Sequence, residues 1–217
     1  NFPDGTPRLN VSLKGDECYN EIIWRYEGEF ECMSIWCIAK HIRSLQPWKM
    51  LQLYLPYVPN ARMDRVKNED EVFTLKWFAD FINSLKFDYV TILDPHSNVT
   101  SALIDRVKIE NPIDHIQIVL NSIENAGYTP ILYFPDAGAM KRYEGMLTEY
   151  PFLYGEKKRD WETGKILGLD LKGDTQRIEE IEKPVFLMID DICSHGGTFY
   201  YSAKALKEAF PNSYINS

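Results

Sequence analysis

The chain has 217 residues, with 24 Lys and Arg against 32 Asp and Glu, so its net charge is −8. Apolar residues make up 45% and charged residues 26%, which excludes a disordered or low-complexity chain and leaves room for one or two domains with real cores. The acid excess argues against a nucleic-acid-binding surface, and no apolar run reaches the roughly 18 residues of a membrane span.

The chain opens on Phe2-Pro3-Asp4-Gly5-Thr6, without a charged-then-apolar signal segment, and reads as the middle of a longer protein. Cys18, Cys32, Cys37 and Cys193 form no Cys-x-x-Cys pair, and with four His they offer no zinc pattern, so reduced thiols and a cytoplasmic setting are expected. Trp24, Trp36, Trp48 and Trp77 read as core or interface filling. The first strand is expected at Met50–Leu55, running into Pro56 and the polar Ala61-Arg62-Met63-Asp64-Arg65. A helix is expected over Glu71–Lys86, where Val72, Leu75, Phe78, Ala79, Ile82 and Leu85 make one apolar stripe. Tyr89–Leu93 is the next strand, ending at Asp94-Pro95-His96. A boundary is expected within Ile109–Asp114, around Asn111-Pro112, giving domains 1–112 and 113–217.

The second half repeats the plan. Asp114–Ala126 is helical and stops at Gly127, and Pro130–Phe134 is a strand ending at Pro135-Asp136-Ala137-Gly138. Gly155–Gly173, rich in charge and glycine, is expected as an exposed, mobile loop. Pro184–Ile189 is a strand and Tyr200–Phe210 a helix closed by Pro211. Strands alternating with helices predict an α/β fold, and runs of consecutive apolar residues suit strands buried on both faces of a mostly parallel sheet. Ligands of such sheets sit beyond the carboxyl ends of the strands, where all four polar loops fall.

Asp190-Asp191-Ile192-Cys193-Ser194-His195-Gly196-Gly197-Thr198 carries the most chemistry. A buried strand delivers two carboxylates, and a small-residue loop then opens a helix. Gly196 and Gly197 let backbone N–H groups approach an anion, Ser194 and Thr198 add hydroxyls, and the helix N-terminus favours phosphate. The carboxylates suit sugar hydroxyls or a divalent cation, so the segment is a ribose-phosphate cradle. Neither Gly-x-x-x-x-Gly-Lys-Ser/Thr nor Gly-x-Gly-x-x-Gly occurs. His41 and His115 have no partner pattern and read as structural or surface residues; Cys193 reads as a small packed residue.

This segment resembles the phosphoribosyl-pyrophosphate loop of phosphoribosyltransferases and ribose-phosphate pyrophosphokinases. Five further segments, in order, resemble the pyrophosphokinases alone: Phe2-Pro3-Asp4-Gly5; Pro56-Tyr57 with Ala61-Arg62-Met63-Asp64-Arg65; Asp94-Pro95-His96; Pro135-Asp136-Ala137-Gly138 with Lys141-Arg142; and Glu156-Lys157-Lys158-Arg159. The resemblance implies two phosphoribosyltransferase-type domains, each a mostly parallel sheet flanked by helices and incomplete at its outer end. The N-terminal one would be the nucleotide side and the C-terminal one would carry the ribose-phosphate loop.

The activity implied is Mg²⁺-dependent transfer of diphosphate from ATP to the anomeric hydroxyl of ribose 5-phosphate, releasing AMP. By position, Phe2 and Asp4 would border the adenine, across a subunit boundary, and Arg62, Met63, Asp64 and His96 would complete the ATP site. His96 and Asp136 would hold or orient Mg²⁺. Lys157 and Arg159 would be catalytic, closing over the transferring group. Asp190 and Asp191 would take the ribose hydroxyls, and Ser194, His195, Gly196, Gly197 and Thr198 the 5-phosphate. The partners implied are small molecules and further copies of the chain, in a dimer or hexamer, with no nucleic acid and no membrane.

Met63 stands where the family has Gln, Thr6 where it has an acid, Pro95 where it has Leu, and Ala139 where it has a second Gly. These departures bear on substrate identity: ADP-ribose, which ends in the same ribose 5-phosphate unit, is the alternative acceptor, and a non-catalytic regulatory relative is the other alternative. An acidic protein binding two polyanions implies reliance on Mg²⁺ and on a few cations, chiefly Arg62, Lys157 and Arg159.

Overall fold

A computed structural model describes residues 1–13, 15, 17–159 and 166–216, with the side chains of 157–159 and 166–168 outside that description. It divides into two compact units, Asn1–Asn111 and Pro112–Ser217.

The first unit contains β1 (Tyr19–Ile23), α1 (Glu31–Leu45), β2 (Met50–Leu55), α2 (Thr74–Ser84), β3 (Tyr89–Leu93), α3 (Asn98–Leu103) and β4 (Val107–Glu110). Its four strands are all parallel, in the order β1-β2-β3-β4. Leu51, Leu53 and Leu55 alternate with half-buried Gln52 and Tyr54, so β2 sinks one face into the core. Ile35, Ala39 and Ile42 of α1 and Leu75, Phe78, Ala79 and Ile82 of α2 join them in a single apolar cluster. At the amino ends of the strands Asp88 ties the unit together. It accepts from the Leu51 N–H and pairs with Arg43, both at 2.7 Å, and these contacts outweigh its partial burial to hold its carboxyl below the usual range.

The second unit contains α4 (Ile113–Asn125), β5 (Thr129–Phe134), α5 (Ala137–Tyr143), β6 (Phe152–Arg159), β7 (Ile166–Gly173), α6 (Thr175–Glu179), β8 (Pro184–Met188), α7 (Gly197–Ala209) and β9 (Tyr214–Asn216). Its sheet order is β7-β6-β5-β8-β9, parallel except for the β6–β7 pair. Here consecutive burial holds: residues 130–134 and 185–188 are buried without a break. Leu132, Phe134, Val185 and Leu187 pack with Ile116, Leu120 and Ile123 of α4 and Ala139 and Tyr143 of α5. Ile131, Tyr133, Phe186 and Met188 pack on the other face with Ile178 of α6 and Leu206 of α7.

Several expectations are corrected. The stretch read as a mobile loop is largely β6 and β7, paired antiparallel from Leu153 opposite Gly173 to Arg159 opposite Ile166. The charges mask a period of two: Leu169 and Leu171 pack into the core while Asp170 and Lys172 alternate with them. Val72 precedes α2 and is 62% exposed, so the stripe starts at Leu75. Of the four tryptophans read as core or interface filling, Trp24 is in the core, and Trp36, Trp48 and Trp77 are exposed and do not fill the core of this chain. Cys193 is exposed rather than packed. Helix α7 begins at Gly197, three residues before the expected start, which brings Gly197 and Thr198 into its first turn. Among the described residues, no helix is long and apolar enough to cross a membrane.

Candidate functional site

In the second unit, β5 and β8 are parallel neighbours, with Tyr133 opposite Met188, so Asp136 and Asp190 leave adjacent strand ends. Asp136 caps α5: its Oδ1 accepts from the N–H groups of Gly138 (2.9 Å) and Ala139 (3.0 Å). Asp190 Oδ1 accepts from the Asp191 N–H at 3.0 Å. Asp191 in turn pairs with Arg142, in the last turn of α5, Nη1 to Oδ2 at 3.0 Å. Burial above all, with the hydrogen bond and charge of Asp191 and the charge of Asp136, pushes the Asp190 carboxyl up to about 6; the Asp191 N–H pulls the other way.

The loop then turns through Gly196, at φ 70° in the left-handed region, and enters α7 with no side-chain cap. The first turn of a helix leaves N–H groups without intrahelical partners, and the dipole there favours an anion. Ser194, His195, Gly197 and Thr198 are exposed around it, and a Cβ built on Gly196 or Gly197 meets nothing within 4 Å. The loop is therefore open to a ligand, and Gly196 is required for its backbone angle rather than for space.

Ala139 is only 6% exposed and belongs to the apolar cluster under α5, so its methyl is taken up by the core. The methyl that stands in place of the family's second Gly therefore does not narrow the ligand side. Lys157 and Arg159 lie on β6, opposite Leu169 and Ile166, with a register shift between Lys158 and Arg159. Their side chains lie outside the described residues.

In the first unit the strand-end residues have looser support. Asn60, at φ 63°, turns the loop after β2, while Val58 and Ala61 are buried and anchor it. Arg62 is exposed, Met63 and Asp64 are half-buried, and Asp64 meets Arg65 at 3.8 Å. After β3, Asp94 takes a left-handed φ of 44° while its N–H donates to the Glu110 carbonyl at 2.9 Å, and His96 follows half-buried. Phe2 and Asp4 are exposed. The Thr6 hydroxyl (2.7 Å) and N–H (3.0 Å) both donate to Asp4 Oδ1 and hold its carboxyl below the usual range. A hydroxyl at position 6 thus fixes Asp4, where an acid would repel it.

The residues assigned from sequence fall into two sets, one per unit. Asp136, Asp190, Asp191 and the loop 194–198 belong to the second unit, and Phe2, Asp4, Arg62, Met63, Asp64 and His96 to the first. No group of three or more His, Cys, Asp and Glu that could hold a metal occurs among the described residues. The sequence places Arg142 in the segment that resembles the family, six residues after Asp136, but gives it neither a partner nor a role.

The mostly parallel α/β unit whose strand end runs through Asp-Asp and Gly-Gly into a helix has a phosphoribosyltransferase-type fold. No family model matches the chain. It is 27% identical over 213 residues to the ribose-phosphate pyrophosphokinase of Saccharolobus solfataricus, covering 94% of this chain and 68% of that protein. It is 24% identical over 213 residues to the ribose-phosphate pyrophosphokinase of Pyrococcus furiosus, covering 95% and 71%. Its fold matches the crystal structure of phosphoribosylpyrophosphate synthetase from Mycobacterium smegmatis with a TM-score of 0.68 at 16% identity, covering 99% of this chain and 68% of that one. The chain is thus similar over nearly all of its length to ribose-phosphate pyrophosphokinases, and it spans about two thirds of the length of these relatives.

Proposed function

We propose that the protein moves diphosphate from ATP to the anomeric hydroxyl of ribose 5-phosphate, giving phosphoribosyl pyrophosphate and AMP. The observation that supports this most is the loop after β8: two carboxylates, then an uncapped helix start opened by a left-handed Gly196. The names of the relatives favour ribose 5-phosphate over ADP-ribose as the acceptor.

On this reading the N–H groups at the start of α7, with Ser194 and Thr198, bind the 5-phosphate, and Asp190 accepts from the ribose hydroxyls. Arg62 binds the ATP phosphates, Phe2 and Asp4 border the adenine, and Met63 and Asp64 line the nucleotide side. Lys157 and Arg159 close over the transferring diphosphate and oppose its developing charge. Asp136 and His96 are the residues that the sequence match assigns to Mg²⁺. Either residue would hold or orient the ion, directly or through one of its waters. Mg²⁺ supplies neutralisation of phosphate charge.

The test is AMP release from ATP and Mg²⁺ with either acceptor. AMP with ribose 5-phosphate is expected; AMP with ADP-ribose alone, or with neither, contradicts the proposal.

A further inference from the structure

The two adjacent acids after β8 are not equivalent. Asp191 is only 9% exposed at its side chain, and its Oδ2 makes an ion-pair contact at 3.0 Å with Arg142 Nη1, a buried atom of a side chain that is 22% exposed overall. Arg142 stands at the end of a short strut. Helix α5 is fixed at its start by the Asp136 cap, seated along its length by buried Ala139 and Tyr143, and presents Arg142 in its last turn. The guanidinium also lies over the Tyr143 ring, 5.8 Å from its centroid, which restrains it further. The backbone of Asp191 meanwhile donates to Asp190 Oδ1 at 3.0 Å. Position and charge are therefore handed along one chain of contacts, from Arg142 to Asp191 to Asp190.

We propose that Arg142 is a positioning residue: it holds Asp191 as a buried structural anchor, so that Asp190 alone of the pair is presented to the acceptor sugar. This rests on the functional reading above and divides the labour between two carboxylates that the sequence presents as alike. Without the guanidinium, Asp191 becomes an uncompensated, largely buried carboxylate directly beside Asp190. It must then swing toward water or take up a proton, and either change displaces the N–H that orients Asp190.

The test compares Arg142→Met, Arg142→Lys, Asp191→Asn, Asp190→Asn and the double variant Arg142→Met/Asp191→Asn. Arg142→Met is expected to raise KM for ribose 5-phosphate about tenfold while KM for ATP and kcat stay within about twofold. Arg142→Lys recovers part of the loss, and the double variant returns to the level of Asp191→Asn, because the uncompensated charge is gone. Asp190→Asn is expected to cost more in KM for ribose 5-phosphate than Asp191→Asn. Equal loss in the two Asp variants, or an unchanged KM in a folded Arg142→Met, overturns the proposal. If the wild-type protein releases no AMP with ribose 5-phosphate, it is the functional reading that fails. The positioning role is then still decided by the carboxyl ¹³C resonances of labelled Asp. Arg142→Met should move the Asp191 titration upward by about one pH unit or more, and an unmoved titration overturns it.

Discussion

The strand ends of the two units are held in different ways. In the second, each acid is tied into its own unit before any ligand arrives: Asp136 caps a helix, Asp191 is paired with Arg142, and Asp190 is fixed by the next N–H. In the first, Arg62, Phe2 and Asp4 are exposed, and the contacts of Asp4 and Asp64 reach only one or two residues along the chain. The cores differ in the same sense. The central strands of the second unit are buried on both faces, whereas β2 and β3 alternate buried and half-buried positions. On the proposed function, the side that would take the ribose phosphate is held by its own contacts, whereas Arg62, Phe2 and Asp4 on the side that would take the nucleotide are exposed. Preorganised groups act on a reacting centre at little ordering cost, whereas exposed long side chains must be ordered by the ligand.

This contrast can be broken by substitution. The largest effect is expected at Lys157, placed over the transferring diphosphate by its sequence match: Lys157→Ala lowers AMP release about 10²–10³-fold with an unchanged melting temperature. Unchanged turnover removes Lys157 from the catalytic set.

Gly196→Ala comes next. The added methyl meets nothing within 4 Å, so the penalty is the left-handed backbone alone, about 1 kcal/mol, and it falls on the loop. KM for ribose 5-phosphate should rise about fivefold to tenfold while KM for ATP holds. An equal rise in both would mean that the loop serves the whole site.

Arg62→Ala sharpens the comparison from the other unit. An exposed cation with only ligand work to do should raise KM for ATP about tenfold and leave thermal stability unaltered. A marked loss of stability would show that Arg62 is structural after all.

The smallest effect follows from Asp190. Its carboxyl, at about 6 against an ordinary 3.8, keeps in the folded state a proton that the unfolded chain has released. The folded state binds more protons between these values, so stability falls as pH rises through about 4 to 6 and stays lower above. Asp190→Asn, measured by melting in EDTA at pH 7.5, should therefore stabilise the protein by about 1 kcal/mol, the shift being discounted for the water that still reaches the group. The gain should vanish at pH 4, and destabilisation at pH 7.5 would contradict the account.

Much of this was legible in the sequence. Leu51, Leu53 and Leu55, the unbroken apolar runs of β5 and β8, and the stripes of α2 and α4 announce themselves because period and burial coincide. The β6–β7 arm did not, because its charges and glycines outweigh a two-residue alternation carried by Leu153 and Gly155 in β6 and by Leu169 and Leu171 in β7. Helix α1 and strand β1 were missed for a related reason: Met33 and Trp36 put large apolar side chains on the exposed side of α1, which blurs its stripe. At the candidate site, residue types pointed to the loop after β8, but partnership was invisible. Nothing in adjacent Asp190 and Asp191 tells which is anchored, since that depends on α5 bringing Arg142 within 3.0 Å of one of them.

The central claim is that the chain transfers diphosphate as a unit to the sugar. ³¹P NMR of the protein with ATP, Mg²⁺ and ribose 5-phosphate tests it most directly. The account predicts AMP and a sugar-linked diphosphate accumulating in equal amounts; ADP with a singly phosphorylated sugar product, or free diphosphate without the sugar adduct, would contradict it.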